Sequence, residues 1–443
     1  GAGNASAVDT VFVTMDRGGG GGGGGKEEEE KESEGFAPQC ITITAETKTS
    51  SKAVKGTMKE TAATRAAMAL DGLLAGFWSD KDQYLLTNLN SNSTSNSFAS
   101  VADTKLLPFW NFAEAIHAVA VGASKINSQR YGGVLQHMID GQVAQGGKQE
   151  GTGKDGWSRT FLDDMNWAVL ALVAAYDATQ NASHLATAQS IFQNKIQPGW
   201  DTTLCGGGVF WDTRHSQKAT ASNAGPAMAA AMLAARMSSS QSQRKQELLL
   251  WAEQTYAFWN ASMTNPTSGY VTDHWLIVDG LNGTECVPVE WSFTYNEGLM
   301  LGAATVLGHA RDAARFARRI VEAETRNGGV LFDTCEQSCG CCDCQSFKGV
   351  AIRALARWLR SPLAASSAPA VVAGATRTVN ASATAVWNLA RVDKSKGVGP
   401  LFSASWSAPG PTTRREDSEH MPCRLNAAAQ TSAIFALMAA AEL

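Results

Sequence analysis

The stretch "GGVFWD" at residues 207–212 recurs as "GGVLFD" at residues 328–333, and a looser copy, "SGYVTD", lies between them at residues 268–273. The copies are about 60 residues apart, which is the length of two helices and two loops, and residues 57–443 hold about six such units. The sequence therefore predicts an all-α fold, an (α/α)6 barrel in which six helical hairpins close into a toroid. Glycine–aromatic turns would form short β-turn insertions at the rim of a cleft. An open helical solenoid is the alternative arrangement of the same repeats.

The segments around these turns have the apolar spacing of helices. In "LLLWAEQTYAFW", for example, Leu249, Ala252, Tyr256 and Trp259 fall on one helical stripe. No successive segments alternate polar and apolar residues, so we do not expect an extended sheet. Helices are predicted near residues 58–78, 110–125, 130–145, 165–179, 183–196, 223–237, 248–259, 295–309, 311–325, 346–360 and 427–442.

Composition separates a tail from one large domain. Residues 1–56 include "RGGGGGGGGKEEEEKESE" and predict a disordered tail, because neither a glycine run nor a charge run buries a core. Residues 57–443 are predicted to form a single domain, and we expect a monomer. The net charge of −4 gives no electrostatic reason to expect nucleic acid or an acidic membrane as partner. No apolar run approaches the ~18–20 residues of a transmembrane helix.

Cysteines and glycosylation motifs indicate the compartment. Five of the nine cysteines lie in "CEQSCGCCDC" at residues 335–344. Zinc sites usually pair two separated Cys hooks, whereas this cluster is compact, so disulfides are favoured over a metal knuckle. Disulfides indicate secretion to the extracellular space or cell wall. The chain also has Asn-X-Ser/Thr acceptors for N-glycosylation at Asn4, Asn92, Asn181, Asn260, Asn282 and Asn380.

Two adjacent aspartates, Asp163 and Asp164, stand where the loop "GWSRTF" becomes the apolar segment "LDDMNWAVLALVAAYDAT". The simpler interpretation is a helix cap and a favourable charge on the helix dipole. The carboxyls of adjacent residues reach a separation of roughly 5–6 Å, which suits the ~5–5.5 Å of a retaining glycosidase better than the ~6.5–9.5 Å of an inverting one. The pair is therefore a candidate catalytic site, in which one carboxylate attacks the anomeric carbon and the other protonates the leaving oxygen.

An ordered set of motifs resembles glycoside hydrolase family 76, the α-1,6-mannanase family, which includes fungal cell-wall transglycosidase-like proteins. The motifs cover about residues 60–443 in family order. They are "FLDDMNWAVLALVAAYDAT", "IQPGWDTTLCGGGVFWD", "KATASNAGPAMAAAMLAARM", "WSFTYNEGLMLGAATVL", "SFKGVAIRALARWL" and "AAAQTSAIFALMAA". The resemblance implies an (α/α)6 barrel with Asp163 as nucleophile and Asp164 as acid/base, while the residues alone leave the two roles interchangeable.

The resemblance also implies sugar contacts by Asn223, Tyr295 and Asn296. From the residues alone, Asn223 would equally well cap a helix that begins at residue 224, and Tyr295 would equally well be a buried tyrosine. Lys348 stands at a predicted helix start, which is unfavourable for a cation, so it is a candidate cleft residue. Trp110, Trp167 and Trp211 are candidate stacking platforms for sugar rings, with the protein core as the alternative.

Three functions remain in competition. The leading hypothesis is a secreted, retaining, endo-acting α-1,6-mannosidase that hydrolyses an α-mannosyl glycan. The second is a transglycosidase that moves mannosyl glycans to cell-wall polysaccharide, and the third is a non-catalytic glycan-binding or structural protein on the same fold. The seven histidines lack the HExxH spacing, and no P-loop, dinucleotide fingerprint or GxSxG elbow occurs, so we expect no metal and no cofactor.

Overall fold

A computed structural model describes residues 61–88, 105–148, 153–280, 283–337, 342–392, 399–407 and 426–443, all of them within one compact unit. The predicted tail at residues 1–56 lies outside this range. The described helices are α1 Ala62–Phe77, α2 Phe109–Lys125, α3 Ser128–Ala144, α4 Leu162–Thr179, α5 Ala182–Ile191, α6 Thr220–Ala234, α7 Ser242–Met263, α8 Thr294–Leu307, α9 Ala310–Ala323, α10 Cys342–Leu359, α11 Pro362–Ala365, α12 Pro369–Ala385 and α13 Ala427–Ala441. The described strands are β1 Trp78–Ser79, β2 Tyr84–Leu85, β3 Gln217–Ala219, β4 His274–Gly280, β5 Gly283–Val289, β6 Thr325–Arg326, β7 Val330–Leu331, β8 Arg391–Val392 and β9 Leu401–Phe402.

The helices form two concentric rings. Each of the inner helices α2, α4, α6, α8, α10 and α13 packs on the next, and α13 packs back on α2. The outer helices α1, α3, α5, α7, α9 and α12 alternate with them along the chain. Because the inner ring closes on itself, the fold is the predicted (α/α)6 barrel and not an open solenoid.

Sequence composition explains which helix lies in which ring. All 15 residues of α6 are buried, and its many alanines allow neighbouring helices to approach closely. In contrast, α7 buries only one stripe, which includes the predicted Ala252, Tyr256 and Trp259. Leu249 was predicted on this stripe but is 37% exposed, and Leu248 is buried in its place. The inner helix α6 is therefore apolar on all sides, whereas the outer helix α7 is apolar along one face only.

The repeated glycine turns lie against the first residues of the inner helices and accept hydrogen bonds from them. Their glycines adopt left-handed conformations, with φ of 99° at Gly208 and 82° at Gly328. The backbone N–H of Leu162 at the start of α4 donates to the Trp211 carbonyl at 2.7 Å. The N–H of Thr220 in α6 donates to the Asp273 carbonyl at 2.8 Å, and that of Thr294 in α8 donates to Asp333 Oδ1 at 2.7 Å. Each turn thus satisfies an N–H of the preceding inner helix that has no partner within its own helix.

Two elements differ from the expectation. Strands β4 and β5 form a hairpin of two seven-residue strands that β3 extends to a three-stranded antiparallel sheet, where only short turns were expected. Polar and apolar residues alternate only weakly along this hairpin, because most residues of β5 are exposed on both faces of the sheet. Helix α12 was also missed, since "PAVVAGATRTVNASATA" is rich in residues of low helix propensity and is held by packing on α9 and α13.

Two disulfides confirm the prediction of disulfide bonding. Cys335 and Cys344, the first and last cysteines of the cluster, are joined, and Cys205 is joined to Cys286 of β5. Among the residues that the structure describes, no group of three or more His, Cys, Asp or Glu side chains could hold a metal ion. None of the described helices has the length and apolar character to cross a bilayer.

Candidate active site

The adjacent aspartates lie in the first turn of α4, at the positive end of the helix dipole. The expectation that one of them caps the helix is wrong, because the helix begins at Leu162 and its N-cap residue is Phe161. The Leu162 N–H is already bound by the Trp211 carbonyl. Neither Asp163 nor Asp164 is therefore needed as a cap, and their placement calls for a different explanation.

Asp163 is partly exposed at the start of α4. It accepts hydrogen bonds from the side chain of Trp211 and the backbone of Asp164, while its Oδ1 has no hydrogen-bond partner. Burial raises the pKa of Asp163 well above its usual range, the charge of Asp164 raises it further, and the Trp211 hydrogen bond opposes the shift only in part. This carboxyl therefore retains a proton at a pH where an ordinary aspartate is ionised.

Asp164 occupies a different electrostatic environment. Its side chain is buried, and Oδ2 lies 3.8 Å from Nε of Arg159. The guanidinium of Arg159 in turn lies 5.0 Å from the centre of the Phe109 ring at the start of α2. The Arg159 cation favours the charged form of Asp164, whereas burial and the charge of Asp164 favour the protonated form of Asp163.

Tyr295 and Asn296, both predicted sugar contacts, lie in the first turn of α8 and converge on a third carboxylate, Asp273. The Tyr295 hydroxyl donates to Asp273 Oδ1 at 2.5 Å, and Asn296 Nδ2 donates to the same oxygen at 3.0 Å. His274 Nδ1 lies 2.7 Å from Asp273 Oδ2. Burial and the Asp273 charge raise the pKa of Tyr295, and Asp163 contributes to the same effect. Tyr295 is therefore brought near the aspartate pair, and Asn296 is buried behind it.

The three tryptophans have different positions. Trp211 is partly exposed and packs on Phe161, with 4.3 Å between ring centres, so it remains the accessible platform candidate. Trp110 is only 7% exposed, and its Nε1 donates to Asp343 Oδ1 at 2.6 Å. Trp167 is buried against Trp110, with 5.6 Å between ring centres. The expectation of a stacking platform at Trp167 is therefore wrong, because neighbouring side chains cover the ring.

Two other predicted contacts belong to the interior. Asn223 is fully buried and binds the backbone of Val209 through Oδ1 at 2.7 Å and Nδ2 at 3.1 Å, so it holds the glycine turn. It does not cap a helix, because α6 begins at Thr220. Lys348 is fully buried in an ion pair with Glu336 and donates to the Ala404 carbonyl at 2.7 Å. The prediction that Lys348 lines the cleft is therefore wrong.

The glycosylation acceptors fall into three groups. Asn181 and Asn380 are exposed. Asn260 uses its amide in hydrogen bonds to Asp312 and Arg315, so a glycan there would break existing contacts. Asn4, Asn92 and Asn282 lie outside the described residues.

Sequence reasoning missed three residues of this site, which are Arg159, Asp273 and Asp343. Asp273 was detectable in principle, since it closes the "SGYVTD" copy of the repeated turn. Arg159 and Asp343 carried no such signal. Together, this end of the barrel offers an adjacent carboxyl pair in unequal environments, a third carboxylate with hydrogen-bonding partners, and partly exposed aromatic rings (Trp211, Phe347). Such a set can donate a proton, attack an electrophilic carbon and bind sugar hydroxyls.

Comparison with known sequences gives a family. The sequence profile described as "Glycosyl hydrolase family 76" matches residues 62–440. A comparison with curated proteins found no match.

Comparison with solved structures agrees on the fold. The α-1,6-mannanase of Salegentibacter sp. HEL1_6 is 20% identical, with a TM-score of 0.68 over 86% of this chain and 99% of that one. An inactive variant of that mannanase, in which two adjacent aspartates are replaced by asparagine, was solved with α-1,6-mannotriose. A Listeria innocua protein is 21% identical, with a TM-score of 0.66 over 86% of this chain and 97% of that one. Dfg5 of Chaetomium thermophilum, solved with glucosamine, is 16% identical, with a TM-score of 0.59 over 86% of this chain and 90% of that one.

Proposed function

The chain belongs to glycosyl hydrolase family 76, and from that premise we propose that it is a secreted, retaining, endo-acting α-1,6-mannosidase. Its substrate would be an α-mannan-type glycan, and Asp163 and Asp164 would be its catalytic pair. The observation that carries the proposal is the pair itself, in which burial and the charge of Asp164 raise the pKa of Asp163 while Arg159 lies beside Asp164. Double displacement needs one ionised and one protonated carboxyl on the same glycosidic bond.

The proposed reaction has two steps. In the first, the ionised carboxylate attacks the anomeric carbon, and the protonated carboxyl gives its proton to the departing glycosidic oxygen. In the second step, the carboxyl that gave its proton is now ionised and removes a proton from a water molecule. The water oxygen attacks the anomeric carbon, displaces the carboxylate bound there and restores the original anomeric configuration. The Asp273–Tyr295 pair would bind sugar hydroxyls beside the reacting centre, and Trp211 would pack against the ring face.

The nucleophile and the acid/base can be assigned to Asp163 and Asp164 in two ways. The resemblance assigns nucleophile to Asp163 and acid/base to Asp164. The electrostatics of the free chain favour the reverse, since Asp163 holds the proton and Arg159 stabilises a charge on Asp164. A coupled pair shares its proton, and bound substrate can move that proton from one carboxyl to the other. Chemical rescue of single variants therefore decides the roles.

Support from relatives concerns the substrate. A structural neighbour is a mannanase that was solved with α-1,6-mannotriose after replacement of two adjacent aspartates. The same kind of pair stands at the start of α4 in this chain. An α-1,6-linked mannoside is therefore the first substrate to test.

The test is hydrolysis of α-1,6-mannooligosaccharides by the wild type, Asp163→Ala and Asp164→Ala, with anomeric configuration followed by NMR. We expect the wild type to release α-anomers first, and each variant to lose at least about 10³-fold in kcat/KM. Asp279→Ala, at an exposed carboxylate of β4, is the matched control and should retain wild-type activity. Hydrolysis that persists in Asp163→Ala, or β-anomers as first products, would show that the proposal is wrong.

Transglycosylation is the second candidate, because a covalent glycosyl intermediate reacts with a sugar hydroxyl as readily as with water when an acceptor is bound. The similarity to Dfg5, which was solved with an amino sugar, favours the inclusion of glucosamine-containing acceptors in the test. Products would be sized by mass spectrometry with and without acceptor. Acceptor-linked products would support transfer, and water-derived products alone would exclude it for the acceptors tested.

A further inference from the structure

A small cavity lies inside the barrel, deeper than the aspartate pair. It is lined by inner-ring residues that include His117 of α2, Leu170 of α4, and Arg353 and Arg357 of α10. Leu170 follows Asp163 by seven residues, which places this level of the barrel about 10 Å further along the axis at 1.5 Å per residue. The cavity is therefore separate from the catalytic cleft. It offers about 20 Å³ to the centre of a water-sized molecule.

Polar groups on its wall lack partners. His117 is 5% exposed, and its Nδ1 is buried without a hydrogen-bond partner among the described residues. Arg353 is paired with Glu114, but its Nη2 is buried without a hydrogen-bond partner. The guanidinium of Arg357 approaches Met232 Sδ at 3.4 Å, and among the described residues it has no carboxylate within ion-pair distance. Three nitrogen-bearing side chains thus surround one small space.

The charges around the cavity do not balance. Arg353 is neutralised by Glu114, and the other nearby arginines have carboxylates of their own in the pairs Arg236–Asp177 and Arg360–Glu442. Arg357 has no ion pair among the described residues, and the acidic group that acts on its charge, Asp177, is paired with Arg236. Burial and the neighbouring guanidinium of Arg353 lower its pKa to about 10, so it stays charged at neutral pH. Arg357 is only partly exposed, so a charge there without an adjacent carboxylate is costly, and a bound anion lowers that cost.

We propose that a small monovalent anion, chloride in an extracellular medium, binds in this cavity between Arg357, Nη2 of Arg353 and the His117 ring. The volume open to the centre of a water-sized molecule, about 20 Å³, suits a small ion better than sulfate or phosphate. A water molecule of the same size would satisfy hydrogen bonds but would leave the charge of Arg357 unbalanced. The anion would join α2 to α10, the same two helices whose first turns are connected by the Trp110–Asp343 hydrogen bond at the cleft.

The test compares thermal unfolding in sodium chloride and in sodium gluconate at equal ionic strength, about 0.15 M. Gluconate is too large for the cavity, so the wild type should melt about 1–3 °C higher in chloride. Arg357→Met removes the charge and should melt at the same temperature in both salts. Arg318→Met, at an exposed arginine of α9, removes the same charge elsewhere and should retain the chloride effect. Equal melting of the wild type in both salts, or an undiminished chloride effect in Arg357→Met, would overturn the proposal.

A direct measurement covers the case in which Arg357→Met fails to fold. Crystals grown without halide and soaked in bromide should show an anomalous peak in the cavity, within hydrogen-bond distance of the Arg357 guanidinium. A cavity without a peak, in crystals that bind bromide elsewhere, would overturn the proposal. A peak without any chloride effect on wild-type melting would mean binding at crystal concentration only, and that outcome overturns it too.

Discussion

The hydroxyl of Tyr295 donates a hydrogen bond of 2.5 Å to Oδ1 of Asp273. The contact joins the first turn of α8 to the end of the "SGYVTD" turn, and it lies beside Asp163, whose charge contributes to the raised pKa of Tyr295. Hydrogen bonds to an ionised acceptor are about twice as strong as neutral ones. The pair therefore fixes the third carboxylate of the cleft in one orientation.

Tyr295→Phe should lower kcat/KM on an α-1,6-mannooligosaccharide about 10- to 100-fold, because a hydrogen bond to a charged group contributes about 1.5–3 kcal/mol. Asn296 and His274 still hold Asp273, so the fold should remain intact. Steady-state kinetics measure the loss, and circular dichroism checks the fold. Tyr176→Phe, at the far end of α4, is the control with unchanged activity. Wild-type kcat/KM in Tyr295→Phe would mean that the pair has no part in the site.

Azide should identify the roles of Asp163 and Asp164. A variant that lacks the acid/base keeps its nucleophile, so it should accept an activated aryl mannoside and give the α-mannosyl azide. A variant that lacks the nucleophile should give the β-azide by direct attack. We therefore expect one Asp→Ala variant to be rescued with retention and the other with inversion, as read by NMR of the products. Rescue of both variants with the same configuration would contradict a nucleophile–acid pair.

Asp163→Asn should raise stability at neutral pH while it removes activity. The folded-state pKa of Asp163 is above its unfolded value of ~3.9, so the folded state binds this proton more tightly. Its contribution is fully present below the unfolded pKa and is lost as pH rises through the folded pKa. An asparagine undergoes no such loss. Thermal unfolding across pH should show Asp163→Asn above the wild type near pH 7 and no difference near pH 4.

The control for this experiment is Asp279→Asn, because Asp279 is an exposed residue of β4. Its melting profile should follow that of the wild type. A lower melting temperature for Asp163→Asn than for the wild type at neutral pH would show that the carboxylate stabilises the fold. That result would contradict a carboxyl with a raised pKa that is kept for catalysis at the expense of stability.

Asp333→Ala should destabilise the protein by about 1–3 kcal/mol, because it leaves the Thr294 N–H and hydroxyl without an acceptor at the start of α8. Urea unfolding gives the free energy. Burial raises the pKa of Asp333 to about 7, so the wild type should also lose stability as pH rises towards that value. Asp333→Asn keeps an acceptor oxygen and removes the titration. It should recover much of the stability and flatten the pH profile, whereas an unchanged profile would contradict the assignment.

Replacement of both Cys205 and Cys286 by alanine should lower the free energy of unfolding by about 2–4 kcal/mol, because the disulfide closes a long loop. The bond joins the "LCGGGVFWD" turn to β5. Denaturant unfolding measures the loss, and wild type treated with a reductant should approach the variant. Equal unfolding of reduced and oxidised wild type would show that this bond adds nothing to stability.

Local pattern was enough to predict much of the fold. The periodicity of the inner and outer helices, the glycine turns and the adjacent carboxylates are short-range features, because helical spacing and left-handed glycines depend on neighbouring residues. The hairpin β4–β5 and helix α12 were missed because their local sequences favour the strand and helix conformations only weakly. Packing against the rest of the protein decides these conformations.

The sequence by itself determined the helical hairpins, their repeat and the position of the aspartate pair. Only the tertiary structure decided which side chains surround that pair. Trp110 meets Asp343 from 233 residues away, and Lys348 turns inward to a buried glutamate instead of the cleft. The physical reason is that closure of the ring brings six helix starts to one end of the barrel. The ionisation and burial of each residue there are set by neighbours that are distant in sequence.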